Sequence, residues 1–219
     1  MIGKGKSISH GVAALEYDLA KEIDGQAAAT EIARHELYGC TGAEMVQEMK
    51  PYFTDFPNVK NNCLRFEVSP SIEESSSFTD ADWAELGNDF MQRMGLMNHQ
   101  YIIIRHSGTE SKKEQAHLHI LANRISLSGE LYRDNWIGKR ATEAANAIAK
   151  ERNFVQSQDI GKANKAEIKE AMNEVLKKLQ GFDLAKFQEE LGKLGFKVRE
   201  ARASTGKLNG YYVTARSGT

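Results

Sequence analysis

The stretch His99–Arg124 reads HQYIIIRHSGTESKKEQAHLHILANR. Its Tyr101-Ile102-Ile103-Ile104 segment is aromatic and β-branched, side chains that suit a buried pleated surface, and predicts a strand ending at His106. Ser107 to Gln115 is polar and charged with a glycine inside it, the composition of a turn or exposed loop. Ala116 to Asn123 predicts a second strand, in which alternation puts His117 and His119 on one face and Leu118 and Ile120 on the other. If the two strands pair antiparallel, His106 lies beside the start of the second. Three imidazoles then converge, the donor set of a divalent-metal site with positions left open for substrate. A strand-end histidine is usually a hydrogen-bonded surface residue, and His-x-His arises by chance. The third ring on the neighbouring strand is what gives this pattern chemical meaning.

The run from His106 through His117-Leu118-His119-Ile120-Leu121-Ala122-Asn123-Arg124 resembles the three-histidine motif of relaxases, nucleases of the His-hydrophobe-His superfamily that nick plasmid or transposon DNA before transfer. Three further segments carry the resemblance. The opening MIGKGKSISH followed by Tyr17 is similar to the start of relaxases from Bacteroides-type mobilisable elements. Leu64-Arg65-Phe66-Glu67-Val68-Ser69-Pro70 is similar to their L-x-F-x-x-S-P segment, and Arg124 to Gly129 resembles their R-x-x-x-x-G. The likeness spans roughly Met1 to Asn153. It implies a His106/His117/His119 metal centre and Tyr17 as the group that attacks the scissile phosphate. A half-buried aromatic on an amphipathic helix is the structural alternative for Tyr17. His10 is the rival nucleophile, because a related branch is thought to use histidine; it could also support the phosphate or the tyrosine. Asn123 is expected to orient a metal ligand. Glu67 could approach the metal or accept a proton, although a solvent-facing carboxylate on a strand is the simpler reading.

Composition bounds the rest. The chain has 219 residues, 41% hydrophobic and 27% charged, as in an ordinary folded protein with one good core and a small appended piece. No apolar run approaches the ~20 residues that span a bilayer, and the N-terminus lacks the apolar core of a signal peptide. Cys40 and Cys63 have neither metal nor redox spacing, which fits reduced thiols in a bacterial cytoplasm. A net charge of -1 leaves any DNA affinity to local patches and the metal.

In chain order, Gly3 and Gly5 predict a flexible or close-approach strand carrying Lys4 and Lys6 where a phosphate could meet them. Ser9 is expected to cap a helix that holds Tyr17. Residues from Ile23 to Pro51 read as helical, with breaks at Gly25 and around 39–42. Asn62 to Ser69 alternates as a strand, with Leu64, Phe66 and Val68 opposite Arg65 and Glu67. Thr79, with Asp82 completing a capping box, opens a helix whose face is Trp83, Leu86, Phe90 and Met94 and which Gly95 ends. A basic, Ala-rich helix lies within Asn135–Lys150, and Lys139 and Arg140 at its start could meet a phosphate. The composition shifts near Gln156, so we expect a nuclease domain over 1–155 and a basic helix-and-strand segment over 156–219. Between Leu191 and Thr219, Lys193, Lys197, Arg199, Arg202, Lys207 and Arg216 face a single acid, Glu200, a local +5. With Tyr211 and Tyr212 beside them, these residues resemble a single-strand-binding surface. Arg124 completes the expected DNA contacts.

The expected fold is therefore α/β (α+β), a mainly antiparallel sheet flanked by helices with a small basic C-terminal part. The expected function is a strand-specific relaxase that cuts single-stranded DNA at an origin of transfer and leaves a 5′-phosphotyrosine. Tyrosine, with a pKa near ~10, needs a base or a cation beside it to react. Mg or Mn are the ions favoured by availability, with Ni, Co or Zn favoured by imidazole affinity, and accessory mobilisation and coupling proteins are the expected partners. A rolling-circle replication initiator and a non-catalytic DNA-binding module are the competing readings.

Overall fold

The computed structural model describes residues 1–108, 115–179, 181 and 183–214. The chain divides into two compact units, Met1–Ser157 and Gln158–Thr219.

The first unit contains β1 (Ile2–Ile8), α1 (Gly11–Leu19), the two-residue strands β2 (Glu22–Ile23) and β3 (Gln26–Ala27), β4 (Ala29–His35), α2 (Gly42–Met49), β5 (Cys63–Ser69), α3 (Ile72–Ser75), α4 (Asp80–Met94), β6 (His99–His106), β7 (His117–Ser126) and α5 (Ile137–Glu151). Five strands form one sheet in the order β1-β5-β7-β6-β4, and every neighbouring pair is antiparallel.

Strand alternation sorts the sheet into two faces. Leu64, Phe66, Val68, Ile103, Leu118 and Ile120 point to one side, where α4 brings Trp83, Leu86, Phe90 and Met94 and α5 brings Ala141, Ala145 and Ile148. Each large side chain buried there contributes about 1.5–3 kcal/mol. Thr79 and Asp82 form the capping box at the start of α4, and Gly95 ends it in the left-handed conformation. The opposite face buries Ile8, Cys63, Ile102, Ile104 and Leu121 beneath Ala14 and Leu15 of α1 and Met45 and Met49 of α2. Those two helices lie over the apolar residues of this face; the same face also carries Lys4, Lys6, Arg65, Glu67, His106, His117 and His119.

Two local expectations need correction. The region expected to be helical from Ile23 to Pro51 contains β4, which pairs with β6 from Ala29↔His106 to His35↔Tyr101; only Gly42–Met49 is α-helix, capped by Thr41 with Glu44. Ala, Glu and Arg favour helix in isolation, and pairing to a buried strand overrides that preference. The first helix is not capped by Ser9 either. Its N-cap is His10, with no side-chain cap bond, and its start is set by contact: a Cβ on Gly11 would sit 2.6 Å from Cys63 Sγ.

The second unit packs α6 (Ser157–Lys178) and α7 (Leu184–Lys193) with a hairpin, β8 (Lys197–Arg202) and β9 (Leu208–Thr214). Asp183 caps α7 by accepting from the Lys186 amide, and Ala171, Val175, Phe187, Leu191 and Phe196 form its core. Among the described residues, no helix is long and apolar enough to cross a membrane.

Candidate metal centre

The register of β6 on β7 sets His106 directly opposite His117, and one alternation along β7 returns His119 to the same face. The ring centroids lie 4.3 Å (His106–His119), 4.9 Å (His117–His119) and 5.4 Å (His106–His117) apart. One nitrogen from each ring falls within 4.8 Å of the other two, and among the described residues this is the group that could hold a metal ion.

Each ring is turned by a specific partner. His106 Nε2 donates to the carbonyl of Asp18, 2.8 Å away, which leaves Nδ1 with its lone pair. His117 Nδ1 donates to the Gln115 carbonyl at 2.9 Å, which leaves Nε2 free to bind. His119 Nδ1 lies 3.7 Å from the Asp18 carboxylate and 3.4 Å from an Arg65 nitrogen. Its Nε2 stands 3.0 Å from His117 Nε2, the separation adopted by two nitrogens about 2.1 Å from one cation at a right angle. Burial, reinforced by the neighbouring rings, pushes His106 down to about 4 and His119 down to about 2. Both rings are therefore neutral near pH 7, the form that ligates metal. Donor type, orientation and spacing all fit a divalent cation.

Asp18 was not singled out by its sequence context. It is 1% exposed and ion-pairs with Arg65, yet burial outweighs that pairing and raises its carboxyl to about 6. Tyr17, the preceding residue on α1, is 58% exposed. Its hydroxyl is 3.5 Å from Lys21 Nζ, a second neighbour that composition did not flag. Asp18 thus ties the end of α1 that carries Tyr17 to two of the three rings.

Beside His119 a cavity of about 230 Å³ is lined by Lys4, Lys6, Arg65 and Glu67. Glu67 is opposite both Lys4 on β1 and His119 on β7, and its carboxylate accepts from Lys4 Nζ at 2.9 Å. Arg65 Nε is a buried donor with no hydrogen-bond partner among the described residues. Lysines and an arginine around an imidazole cluster make a cradle for an anion such as a phosphodiester.

Other expected site residues fall elsewhere. His10 begins α1, eight residues before Asp18, and lines a separate cavity with Val12, Val46 and Phe53; at 1.5 Å rise per residue it is roughly 12 Å from Asp18 along the helix. Asn123 does not orient a metal ligand. It lies four residues beyond His119 under α2, donates to Gln100 Oε1 at 2.9 Å and accepts from the Ile125 amide. Arg124 has an internal occupation in place of the expected DNA contact, donating to the carbonyls of Tyr132 and Asn61 and to Asp134. Arg140 is likewise turned inward, bonding the Arg133 carbonyl and stacking 4.7 Å from the Tyr132 ring centre, whereas Lys139 is exposed.

In the second unit, Arg199 stacks 5.0 Å from the Tyr212 ring centre. Tyr211 and Lys207 are exposed. Arg202 is held by Glu200 and the Gly206 carbonyl. Arg216 lies outside the described residues, as do positions 109–114 of the expected loop.

The family profile described as relaxase, MobA/VirD2-like, nuclease domain matches residues 17–154. Comparison with curated proteins gives no match. Among solved structures, a conjugative relaxase TrwC in complex with oriT DNA, in its metal-bound form, is similar with a TM-score of 0.40 and 12% identity, over 94% of this chain and 74% of that one.

Proposed function

The chain belongs to the MobA/VirD2-like relaxases, DNA-nicking enzymes, over most of its first unit, and from that premise we propose that it cuts one strand of single-stranded DNA at an origin of transfer through a 5′-phosphotyrosine. The observation that carries this reading is the gathering of three imidazoles beside a lysine- and arginine-lined cavity, tied through Asp18 to the helix that bears Tyr17.

A phosphodiester resists nucleophiles because its oxygens are anionic. Lys4, Lys6 and Arg65 hold the phosphate and offset part of that charge. His106, His117 and His119 would hold a divalent cation, with Mg or Mn the ions favoured by availability, and it would supply Lewis acidity toward the phosphate. Tyr17 Oη forms the new bond to phosphorus while the bond from phosphorus to the 3′ oxygen breaks. The phenolic proton passes to Glu67 or solvent, the departing oxygen takes a proton as a free 3′-hydroxyl, and the Lys21 ammonium stands beside the oxygen that becomes anionic. The new ester conserves the energy of the old bond, so the strand can be rejoined, which a water nucleophile would not allow. Within the second unit, the exposed cations Arg199 and Lys207, with Tyr211, offer single-stranded DNA a surface of their own. Coupling and accessory mobilisation proteins are the partners we expect for transfer of the cut strand.

Incubating the protein with a single-stranded oligonucleotide from its own transfer origin and Mn should give a covalent adduct that chelator prevents. Tyr17→Phe should abolish the adduct with the fold intact, because the ring is exposed. An adduct that persists in Tyr17→Phe moves the nucleophile to another residue, with His10 the first to test.

A further inference from the structure

Trp136 is left by the chemistry above without a task, and its placement is unusual. It is 80% exposed, and its backbone holds φ 54°, ψ 27° at the N-cap of α5. A bulky residue is rarely found in the left-handed region, and such conformations persist only where the surroundings over-determine them. Here they do. The Ser7 hydroxyl of β1 donates to one Asp134 carboxylate oxygen at 2.6 Å, and Arg124 donates to the other at 2.6 Å. The Ile137 amide donates to the Asp134 carbonyl at 3.1 Å, while Arg140 holds the Arg133 carbonyl. Three elements thus fix one short loop whose outermost group is an indole standing in water.

The loop sits at the edge of the sheet, because β1 is the terminal strand and Ser7 is its anchor. Lys4 and Lys6 of the same strand face the histidine side, and the first turn of α5, with exposed Lys139, lies on the other. Around this edge run cations and one rigid, unshared aromatic plate; among the described residues no ring stacks on Trp136. Its side chain supplies no cap acceptor to α5, and the first amides of a helix have no partners within it. A base on the indole with its phosphate at that helix start uses both features together.

We propose that Trp136 is a stacking platform for an unpaired base of single-stranded DNA that passes from the histidine groove over the edge strand β1. This rests on the DNA reading above and extends it to a second contact point. Stacking tolerates any base, so the platform adds affinity and direction and leaves sequence choice to other contacts.

The two tryptophans report separately, since Trp83 is 2% exposed in the core. Oligo(dT), which carries no nick site, is titrated into the full chain in EDTA and followed by intrinsic fluorescence and by anisotropy of the labelled strand. The wild type should lose emission as DNA binds, and Trp136→Phe should keep most of its affinity while losing that signal. Trp136→Gly, whose residue favours positive φ, should bind about tenfold or more weakly with its unfolding midpoint unchanged or raised. Equal oligo(dT) affinity for wild type and Trp136→Gly overturns the proposal, as does binding that leaves the emission of the wild type unchanged, or a response to anionic vesicles and none to oligo(dT). Absence of nicking with the quenching intact would instead count against the nuclease reading alone.

Discussion

Asp18 reaches two of the three histidines through different atoms, its carbonyl on His106 and its carboxylate near His119. Partners of this kind fix ring orientation and ligand basicity, and losing one typically lowers metal affinity about 10–100-fold. Asp18→Asn should therefore weaken Mn binding by that order in calorimetry, since the backbone bond to His106 stays while the carboxylate charge is lost. Asp18→Ala should cost about 3 kcal/mol in urea unfolding, because it strands the Arg65 guanidinium without its counter-charge. Acid should destabilise the metal-free fold. His106 and His119 are held below their ordinary value, so the unfolded chain binds more protons there, and stability falls as pH drops from about 6.5 toward 4. Asp18, raised to about 6, works in the opposite sense between about 6 and 4, but one carboxylate opposes two rings. Urea midpoints measured in EDTA across this range should decline toward acid, and less so in His106→Gln.

At the level of the elements, β1 and α5 approach closely because Gly3 has no side chain. A Cβ there would lie 2.4 Å from the Ala141 carbonyl oxygen and 2.6 Å from Ala145 Cβ. Gly3→Ala should cost about 1–3 kcal/mol in denaturant unfolding and shift the lysines of β1 against His119. The underside of α1 makes a second prediction: Cys63 is buried, and burial pushes its thiol up to about 12, while Cys40 is exposed. A thiol reagent should label Cys40 in the native protein and reach Cys63 only on unfolding. The strands β5, β6 and β7 and the capped helix α4 were legible in the sequence because their local patterns agree with their tertiary roles. β4 was not, since Ala29–His35 has helix-favouring residues and a bulge between Glu31 and Ala33, and only its pairing with β6 makes it a strand. Asp18 was invisible for a related reason. Adjacent helical residues point about 100° apart, so periodicity alone did not tell which of Tyr17 and Asp18 turns under the sheet. Asn123 shares the histidine face, but sequence distance does not reveal which end of that face α2 covers; Arg124 falls by alternation on the opposite face, where Asp134 and two carbonyls hold it.

Across the whole molecule, charge is divided unevenly. Residues 158–219 carry 12 Lys and Arg against 8 Asp and Glu, net +4, which leaves 17 against 22, net -5, in residues 1–157. On the function proposed above, long-range attraction for a polyanion therefore belongs to the second unit, and the first would act through a few placed cations. Single-strand binding should weaken steeply with salt, and replacing Arg199 and Lys207 by Ala should flatten the log–log slope by about 0.7 for each phosphate contact removed, as read by anisotropy over a salt series. The antiparallel register of β6 and β7 also governs how this scaffold can change over time. Ladder pairing, and not the intervening peptide, sets His106 against His117, so homologues are free to lengthen or shorten that connection. A single residue gained inside β7 would send His119 toward α4 and α5 and dismantle the cluster. Distant kin should therefore differ in the interval between the first and second histidines while keeping the third two places after the second.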